Sequence, residues 1–397
     1  MLAPPMDAHH LPKIPRDAGA DYSPEAVYRR QVYWTEACGQ VPRHVAGVPT
    51  PTEAAQGKIE NLVGYAQVPL GLAGPMVVHG AEGRYEVCVP LATTEGALVA
   101  STSRGMRLLN AGGGVRTRLL ASRLTQSPML VYPSAEAAWQ AAQQVPARVE
   151  AWRALVRTTT QHGALLDAHA ELAGRRLILV LGFSTGDALG INMAARAADL
   201  ISADLAAATS PAERHVHGED VEKRANARAR LEGRGRSACA EVVIPRAALQ
   251  DLARTTPEAM VAILRSYTIG FERLGTHNHL VQSANTLGAL YLATGQDIAY
   301  LGESAVGSLD FALDAQGDLY ASAHVPCLLL GTVGGGTGQG TARECLELLG
   351  CSGAGRSERL AEVAAATVLA GDVSLMAAFT AGEFVAAHER LGRNRPG

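Results

Sequence analysis

The chain has 397 residues, 47% hydrophobic and 18% charged, with a net charge of −3. This is the composition of a soluble globular protein with a large core and two or three domains, and its near-neutral charge excludes a general polyanion partner such as nucleic acid. No apolar run approaches the ~20 residues of a membrane span, and the start Met-Leu-Ala-Pro-Pro lacks a secretion-signal pattern. The six cysteines (Cys38, Cys88, Cys239, Cys327, Cys345, Cys351) form no C-x-x-C pair. Free thiols in a reducing cytoplasm are expected, with no bound metal. Of the 35 basic residues only Lys13, Lys58 and Lys223 are lysine. Unlike arginine, a lysine carries a compact ammonium with a tunable pKa.

Residues 1–48 read as an arm with a short helix over 23–37, followed by a linker at Pro49–Pro51. The Gly- and Pro-rich stretch from Glu60 to Pro75 forbids a regular helix and suggests tight turns. Two strands are expected at 76–78 and 85–93 around a turn at Ala81-Glu82-Gly83. A helix follows over 92–107, with Thr93 or Thr94 as its cap, Leu98, Ser101, Gly105 and Leu108 on one face, and Glu95 in its first turn. Gly112–Gly114 breaks it. Between 129 and 215 strands and helices alternate: a strand at 129–132, helices at 134–143 and 149–160, a strand at 177–183 and a helix over 187–207. That rhythm indicates a compact α/β unit. It carries no G-x-G-x-x-G after a strand, so a Rossmann fold has no support.

Glu213–Arg236 holds seven basic and five acidic residues and no aromatic. So balanced a segment is no nucleic-acid patch. A strand is expected at 238–244, helices at 247–255, 257–267 and 278–292, and a strand over 319–330 leading into Gly331–Thr337. A helix at 342–349 precedes a long helical stretch from 358 to about 391, apolar on nearly all faces until Glu383. Such a helix belongs at the centre of a core.

Seven segments carry a resemblance. They are Glu-Asn-Leu-Val-Gly-Tyr (60–65), Thr-Thr-Glu-Gly-Ala-Leu-Val-Ala-Ser (93–101), Ser-Thr-Gly-Asp-Ala-Leu-Gly-Ile-Asn-Met (184–193), Glu-Gly-Arg-Gly (232–235), Ala-Thr-Gly-Gln-Asp (293–297), Gly-Thr-Val-Gly-Gly-Gly-Thr (331–337) and Leu-Ala-Gly-Asp-Val-Ser-Leu-Met-Ala-Ala (369–378). In this order the chain resembles the hydroxymethylglutaryl-CoA reductase family, nearest its first class. The resemblance implies an α+β fold, not Rossmann. A large acyl-CoA-binding and dimerisation domain (49–128 and 216–397) would contain a long central helix. A small ferredoxin-like α/β cofactor domain (129–215) would be inserted into it. It also implies a cytoplasmic homodimer or higher oligomer with active sites between subunits and the 60–65 segment at that contact. Neither membrane nor nucleic acid would be involved.

The implied reaction is an NADPH- or NADH-dependent four-electron reduction of an acyl-CoA thioester to mevalonate and CoA. Lys223, eleven residues before Arg234, matches the lysine that polarises the carbonyl. Glu95 matches the acid that protonates the alkoxide, Asp297 the carboxylate joining Glu95 and Lys223 in one network, and His388 the donor to the departing thiolate. Cofactor contacts fall on Ser101, Arg104, Arg107, Asp187, Gly190, Ile191, Asn192, Met193, Gly335, Gly336 and Thr337, and substrate contacts on Gln126, Glu222, Arg224 and Asn285.

The chain departs from the family where the acyl group is gripped. Gln126 replaces an arginine, no lysine follows Lys223 (Tyr267 is the nearest alignable residue), and Glu222 and Arg224 replace an aspartate and a second lysine. Gln161 stands where an arginine would meet the NADPH 2′-phosphate. Two alternatives therefore stay open: a diverged member reducing another thioester or aldehyde in specialised metabolism, and a non-catalytic dimer that binds an acyl-CoA or dinucleotide.

Overall fold

A computed structural model of the chain describes residues 11–17, 19–218 and 222–382. Helix α1 (Pro24–Cys38) is capped by Ser23, whose hydroxyl accepts from the Ala26 amide. A short 3₁₀ turn (Thr52–Ala55) leads to the hairpin β1 (Leu70–Gly80) and β2 (Gly83–Ala92). β1 starts well before the expected residue 76. It passes through the end of the Gly-Pro-rich stretch by an irregularity between Ala73 and Met76, so residues 70–75 bend a strand, while 60–69 form no helix or strand, as expected.

Helix α2 runs Leu98–Ala111 and not from residue 93. Its N-cap is Ala97 at φ 71°, with no side-chain cap. Thr93 instead accepts the Glu95 amide at 3.0 Å in a local turn. Glu95 therefore precedes the helix on a loop, a correction to its placement in the first turn. The expected face holds: Leu98, Gly105 and Leu108 are buried.

Strand β3 (Val115–Gln126) continues into β4 (Met129–Val131), helices α3 (Ala135–Ala142) and α4 (Val145–Arg157), strands β5 (Ala164–Ala173) and β6 (Arg176–Ser184), helix α5 (Ile191–Thr209) and strand β7 (Glu213–His215). The sheet order is β7-β4-β6, with β5 on β6, and every pairing is antiparallel. This unit has its own core, including Trp152, Phe183, Leu179 and Ile201.

The chain then forms α6 (Ala227–Glu232), β8 (Gly235–Ile244), α7 (Arg246–Ala253), α8 (Pro257–Leu274), α9 (Ser283–Thr294), α10 (Leu301–Ser304), β9 (Ser308–Leu313), β10 (Leu319–Leu328), α11 (Gly340–Leu348) and α12 (Ser357–Thr380). The main sheet runs β3-β8-β10-β9, with β1 parallel to β3 and β2 outside β1. β3 belongs to both sheets. Arg116–Arg123 pairs with β8, and Leu124–Gln126 pairs with β6.

α12 lies against β8, β10, α2 and α9. Its residues 360–374 are all buried, and they are mostly Ala, Val and Leu. Two carboxylates interrupt this apolarity, and each binds backbone amides of a neighbour. Glu362 accepts from Ala81 in the β1–β2 turn, and Asp372 accepts from Val281 and Gln282 ahead of α9. α12 is long and apolar enough to cross a membrane, yet most of it is enclosed by protein.

Candidate active site

The site is built where β3 passes from one sheet to the other. Gln126, its last residue, is buried, and its side-chain amide donates to Glu222 Oε1 at 3.0 Å. The same oxygen accepts from Arg234 Nη2 at 3.0 Å, and Glu222 Oε2 accepts from the Tyr300 hydroxyl at 3.0 Å. Arg234, 3% exposed, also donates from Nη1 to Glu303, which is wholly buried, and from Nε to the Thr125 carbonyl. Burial raises the Glu303 carboxyl above its ordinary range, opposed by the Arg234 charge. A buried acid–arginine–acid cluster of this kind is tolerated only because nearly every polar atom in it has a partner.

Lys223 is mounted on this cluster. Its amide donates to Glu303 Oε2 at 3.1 Å, and its ammonium lies 5.0 Å from the centre of the Tyr300 ring. Its φ is 62°, a conformation that costs a non-glycine residue about 1–3 kcal/mol and persists only where the surroundings over-determine it. The surroundings here are Glu303, Glu222 and Tyr300. Beside Lys223 opens a cavity of about 460 Å³ lined by His217, Glu222, Lys223 and Arg224. Arg224 donates to the Glu222 carbonyl at 3.1 Å.

Asp297 follows α9. Its Oδ1 accepts the Ala299 amide at 3.0 Å in the turn that carries Tyr300. Glu95 is elsewhere: its Oε1 accepts from Asn285 Nδ2 at 3.0 Å, and both residues are exposed. Asn285 stands in the first turn of α9 and Asp297 beyond its last. At 1.5 Å per residue these two points are roughly 15 Å apart. Among the described residues no hydrogen bond or ion pair within one chain joins Glu95 to Lys223 or Asp297. The single network expected from the sequence is thus divided into two half-sites at opposite ends of α9. His388 lies outside the described residues.

The expected cofactor residues form two groups. α5 begins at Ile191 with Gly190 as a left-handed cap and no side-chain cap hydrogen bond. The N-terminal amides of a long helix with no side-chain cap suit a phosphate, and Ile191, Asn192 and Met193 occupy that first turn. Asp187 does something else. Its carboxylate accepts the amides of Gly355, Arg356 and Ser357 at 2.7–3.1 Å, fixing the start of α12. Burial works against its charge, yet these amides and the Ser357 hydroxyl hold its pKa below the usual range. Within the chain this carboxylate has a capping role. Asp187→Ala is expected to lower stability by about 1–2 kcal/mol, read as a shift of the urea midpoint at pH 7. Because the folded pKa is depressed, the contribution is present above the unfolded pKa. The difference from wild type closes as pH falls through the folded value.

In the second group, Gly335–Gly338 forms a 3₁₀ turn. Gly336 and Gly295 are stacked so closely that a Cβ on Gly336 would lie 2.6 Å from the Gly295 carbonyl oxygen. The glycine run thereby holds the end of α9, and with it Asp297, against the Gly331–Thr337 loop. The Thr337 hydroxyl bonds the Gly334 carbonyl at 2.6 Å. Ser101 and Arg104 on α2 both bond Ser374 of α12, while Arg107 is exposed.

Sequence reasoning reached Arg234 only as a landmark and missed Tyr300 and Glu303. Glu303 had a signal: it is the sole acid in the apolar run Ile298–Leu309, and an acid so placed needs a buried partner.

Comparison with known proteins bears on the whole chain. A sequence model described as "Hydroxymethylglutaryl-coenzyme A reductase" matches residues 26–393. The 3-hydroxy-3-methylglutaryl-coenzyme A reductase of Methanothermobacter thermautotrophicus is 36% identical over 376 residues, covering 93% of this chain and 94% of that protein. The Pyrococcus horikoshii enzyme of the same name is 37% identical over 353 residues, 86% of this chain and 85% of its own length. In fold, the class II 3-hydroxy-3-methylglutaryl-CoA reductase of Streptococcus pneumoniae superposes with a TM-score of 0.68 at 20% identity, over 91% of this chain and 94% of that one. Matches of this length and identity, with the quoted segments in order along them, place the chain in the hydroxymethylglutaryl-coenzyme A reductase family.

Proposed function

We propose that the protein reduces hydroxymethylglutaryl-CoA to mevalonate and CoA in two NAD(P)H-dependent steps. The observation that carries this is Lys223, held on a left-handed backbone by the buried Glu222–Arg234–Glu303 cluster at the mouth of the 460 Å³ cavity, in a chain 36% identical to a reductase along nearly its full length. The Lys223 ammonium holds the carbonyl oxygen as negative charge builds on it. Glu95 gives a proton to the developing alkoxide, and Asp297 adjusts the charge of that pair. His388 protonates the departing thiolate. The dinucleotide, when bound, supplies the hydride. The first turn of α5 and the Gly335–Thr337 turn offer backbone amides for its phosphates.

The side-chain nitrogen of Gln126 donates to Glu222. Arg224, which lines the cavity, is the cation that takes the substrate's free carboxylate. The two half-sites support a homodimer in which Glu95 and Asn285 of one copy face Lys223 and Asp297 of the other. Two further features point the same way. Val63 and Tyr65 of the 60–65 segment are exposed, as are Leu292 and Ile298 flanking Asp297, and apolar residues gathered this way mark contact surfaces. The order β7-β4-β6-β5 within a β-α-β-β-α-β run supports a ferredoxin-like cofactor domain over 129–215. The large domain comprises 49–128 and 216–397, and 1–48 is an arm. The protein acts in the cytoplasm without a membrane.

Purified protein offered hydroxymethylglutaryl-CoA with NADPH, and separately with NADH, is expected to form mevalonate. A folded dimer that makes none with either nucleotide overturns the reading. Turnover of another acyl thioester instead would favour the diverged alternative, for which the Gln126–Glu222 bond is the specific support. Shared sites make a second prediction. Lys223→Met and Glu95→Gln, each inactive alone, regain about a quarter of wild-type activity when co-expressed, because random pairing gives one intact site in each mixed dimer. No recovery in demonstrated mixed dimers would place each site within one chain.

A further inference from the structure

Nothing in the proposed chemistry uses Asp372, yet it is an ionisable group buried completely in the long apolar helix α12. Its Oδ1 accepts the Gln282 amide at 2.9 Å and its Oδ2 the Val281 amide at 3.1 Å. Those two residues lead directly into α9, whose N-cap, Gln282, makes no side-chain capping bond. The carboxylate thus anchors, from a neighbouring helix, the two residues that lead into α9, and its charge faces the positive end of the α9 dipole. One turn later Asn285, whose own amide donates to the Gln282 carbonyl at 3.0 Å, reaches out to Glu95.

The adjoining residues of α12 tie down the other side of this pair. Gly371 lies so near Gln282 that a Cβ there would sit 1.4 Å from its Nε2. Ser374 bonds Ser101 and Arg104 of α2, the helix that begins three residues after Glu95. A single turn of α12 therefore references both the segment bearing Asn285 and the segment bearing Glu95. Burial of this charge has a cost, offset by the two amides that an apolar residue would leave unbonded. It raises the Asp372 carboxyl to about 7 despite the two amides.

We propose that Asp372 is a positioning residue for catalysis, fixing the first turn of α9 so that Asn285 holds the Glu95 carboxylate in place. The inference rests on Glu95 and Asn285 belonging to the active site, as proposed above. Three variants test it by steady-state kinetics: Asp372→Asn, Asn285→Ala and the double variant. Asp372→Asn is expected to lower kcat by about ten- to a hundredfold, as a small displacement of a reacting group does, with KM for the dinucleotide unchanged within about twofold. Asn285→Ala is expected to lower kcat comparably. The double variant should be no worse than the poorer single one, because both act through one carboxylate. Asp372→Glu, which keeps the charge, should recover most of the loss.

Multiplying losses in the double variant, or wild-type kcat in folded Asp372→Asn, overturns the proposal. A purely structural role would lower melting temperature without this non-additivity. If Asp372→Asn does not fold, Asp372→Ser, which likewise removes the carboxylate, takes its place in the cycle with the same criterion. Full activity in Glu95→Ala would instead remove the site reading on which the inference depends. Loss in Glu95→Ala with no loss in Asp372→Asn would remove the inference alone.

Discussion

Lys223→Met is expected to lower kcat by about a thousandfold, the scale on which one donor to a developing oxyanion acts, while native mass and dinucleotide binding stay as in wild type. The effect is large because the ammonium has no neighbour to replace it. Arg224 points its Nη1 back to the Glu222 carbonyl, and the remaining lysines, Lys13 and Lys58, are remote in sequence. Lys223→Arg is expected to rescue little. The guanidinium is a wide planar fork that cannot concentrate one proton on one oxygen, and it does not titrate near neutrality. It would also have to fit over the Tyr300 ring, where the ammonium lies 5.0 Å from the centroid. Single-turnover measurements with saturating substrate separate this loss from binding. A kcat within tenfold of wild type would show that another group polarises the carbonyl.

Arg234→Met is the largest expected loss of stability, about 3–5 kcal/mol, the usual result of removing one partner from a buried ion pair. The variant strands Glu303, which is wholly buried, and removes one of the donors to Glu222. The loss depends on pH in a defined direction. The Glu303 carboxyl already sits above its ordinary range because of burial, and without the arginine it rises further. A carboxyl raised in the folded state opposes folding once it must ionise. The deficit of Arg234→Met is therefore small below the unfolded pKa and grows as pH rises through the folded one. Chemical denaturation at about pH 5 and pH 8 reads this out, together with Arg234→Met/Glu303→Gln, which should recover part of the loss. A deficit that shrinks as pH rises would contradict the assigned burial of charge. Because the Lys223 amide is bonded to Glu303, kcat should fall as well.

The parts of the chain that were legible in its sequence are those where local chemistry and tertiary role agree. α1 carries its own cap at Ser23, the β1–β2 turn falls at Ala81-Glu82 within the expected span, and α12 is apolar enough to be placed from pattern, although it ends at Thr380 and not near 391. β3 was invisible for the opposite reason. Arg116, Arg118 and Arg123 interrupt it, and one of its inward residues is the buried Thr117, so its alternation is one of polarity and not of hydrophobicity. β5, with Asp167, His169 and Glu171 among its residues, was hidden in the same way. The Glu95 loop was misread because threonine before an acid is a good helix start. Nothing local announces that Ala97 will take a left-handed conformation. Lys223, Glu95 and Asp297 could be named because motifs carried them. The division into half-sites could not be, since it depends on the length of α9 standing between Asn285 and Asp297. Tyr300 and Glu303 join Glu222 and Arg234 across long stretches of chain, where no spacing rule operates.

The strand shared by both sheets has a consequence for recombination with relatives. The unit at 129–215 looks like a cassette, entered and left at neighbouring points, and an exchange of that span would be the obvious way to transfer it. Its edge, however, is not at residue 129. Leu124, Thr125 and Gln126 are rungs on β6 opposite Phe183, Gly182 and Leu181, and Gln126 and the Thr125 carbonyl are also partners of Glu222 and Arg234. A donor cassette whose β6 is one residue out of register would turn its opposite face to that seam and disturb the support of Lys223. The transferable piece is thus the cassette together with the last rungs of β3 and Glu222, and chimeras cut inside that boundary should fold less well than those cut outside it.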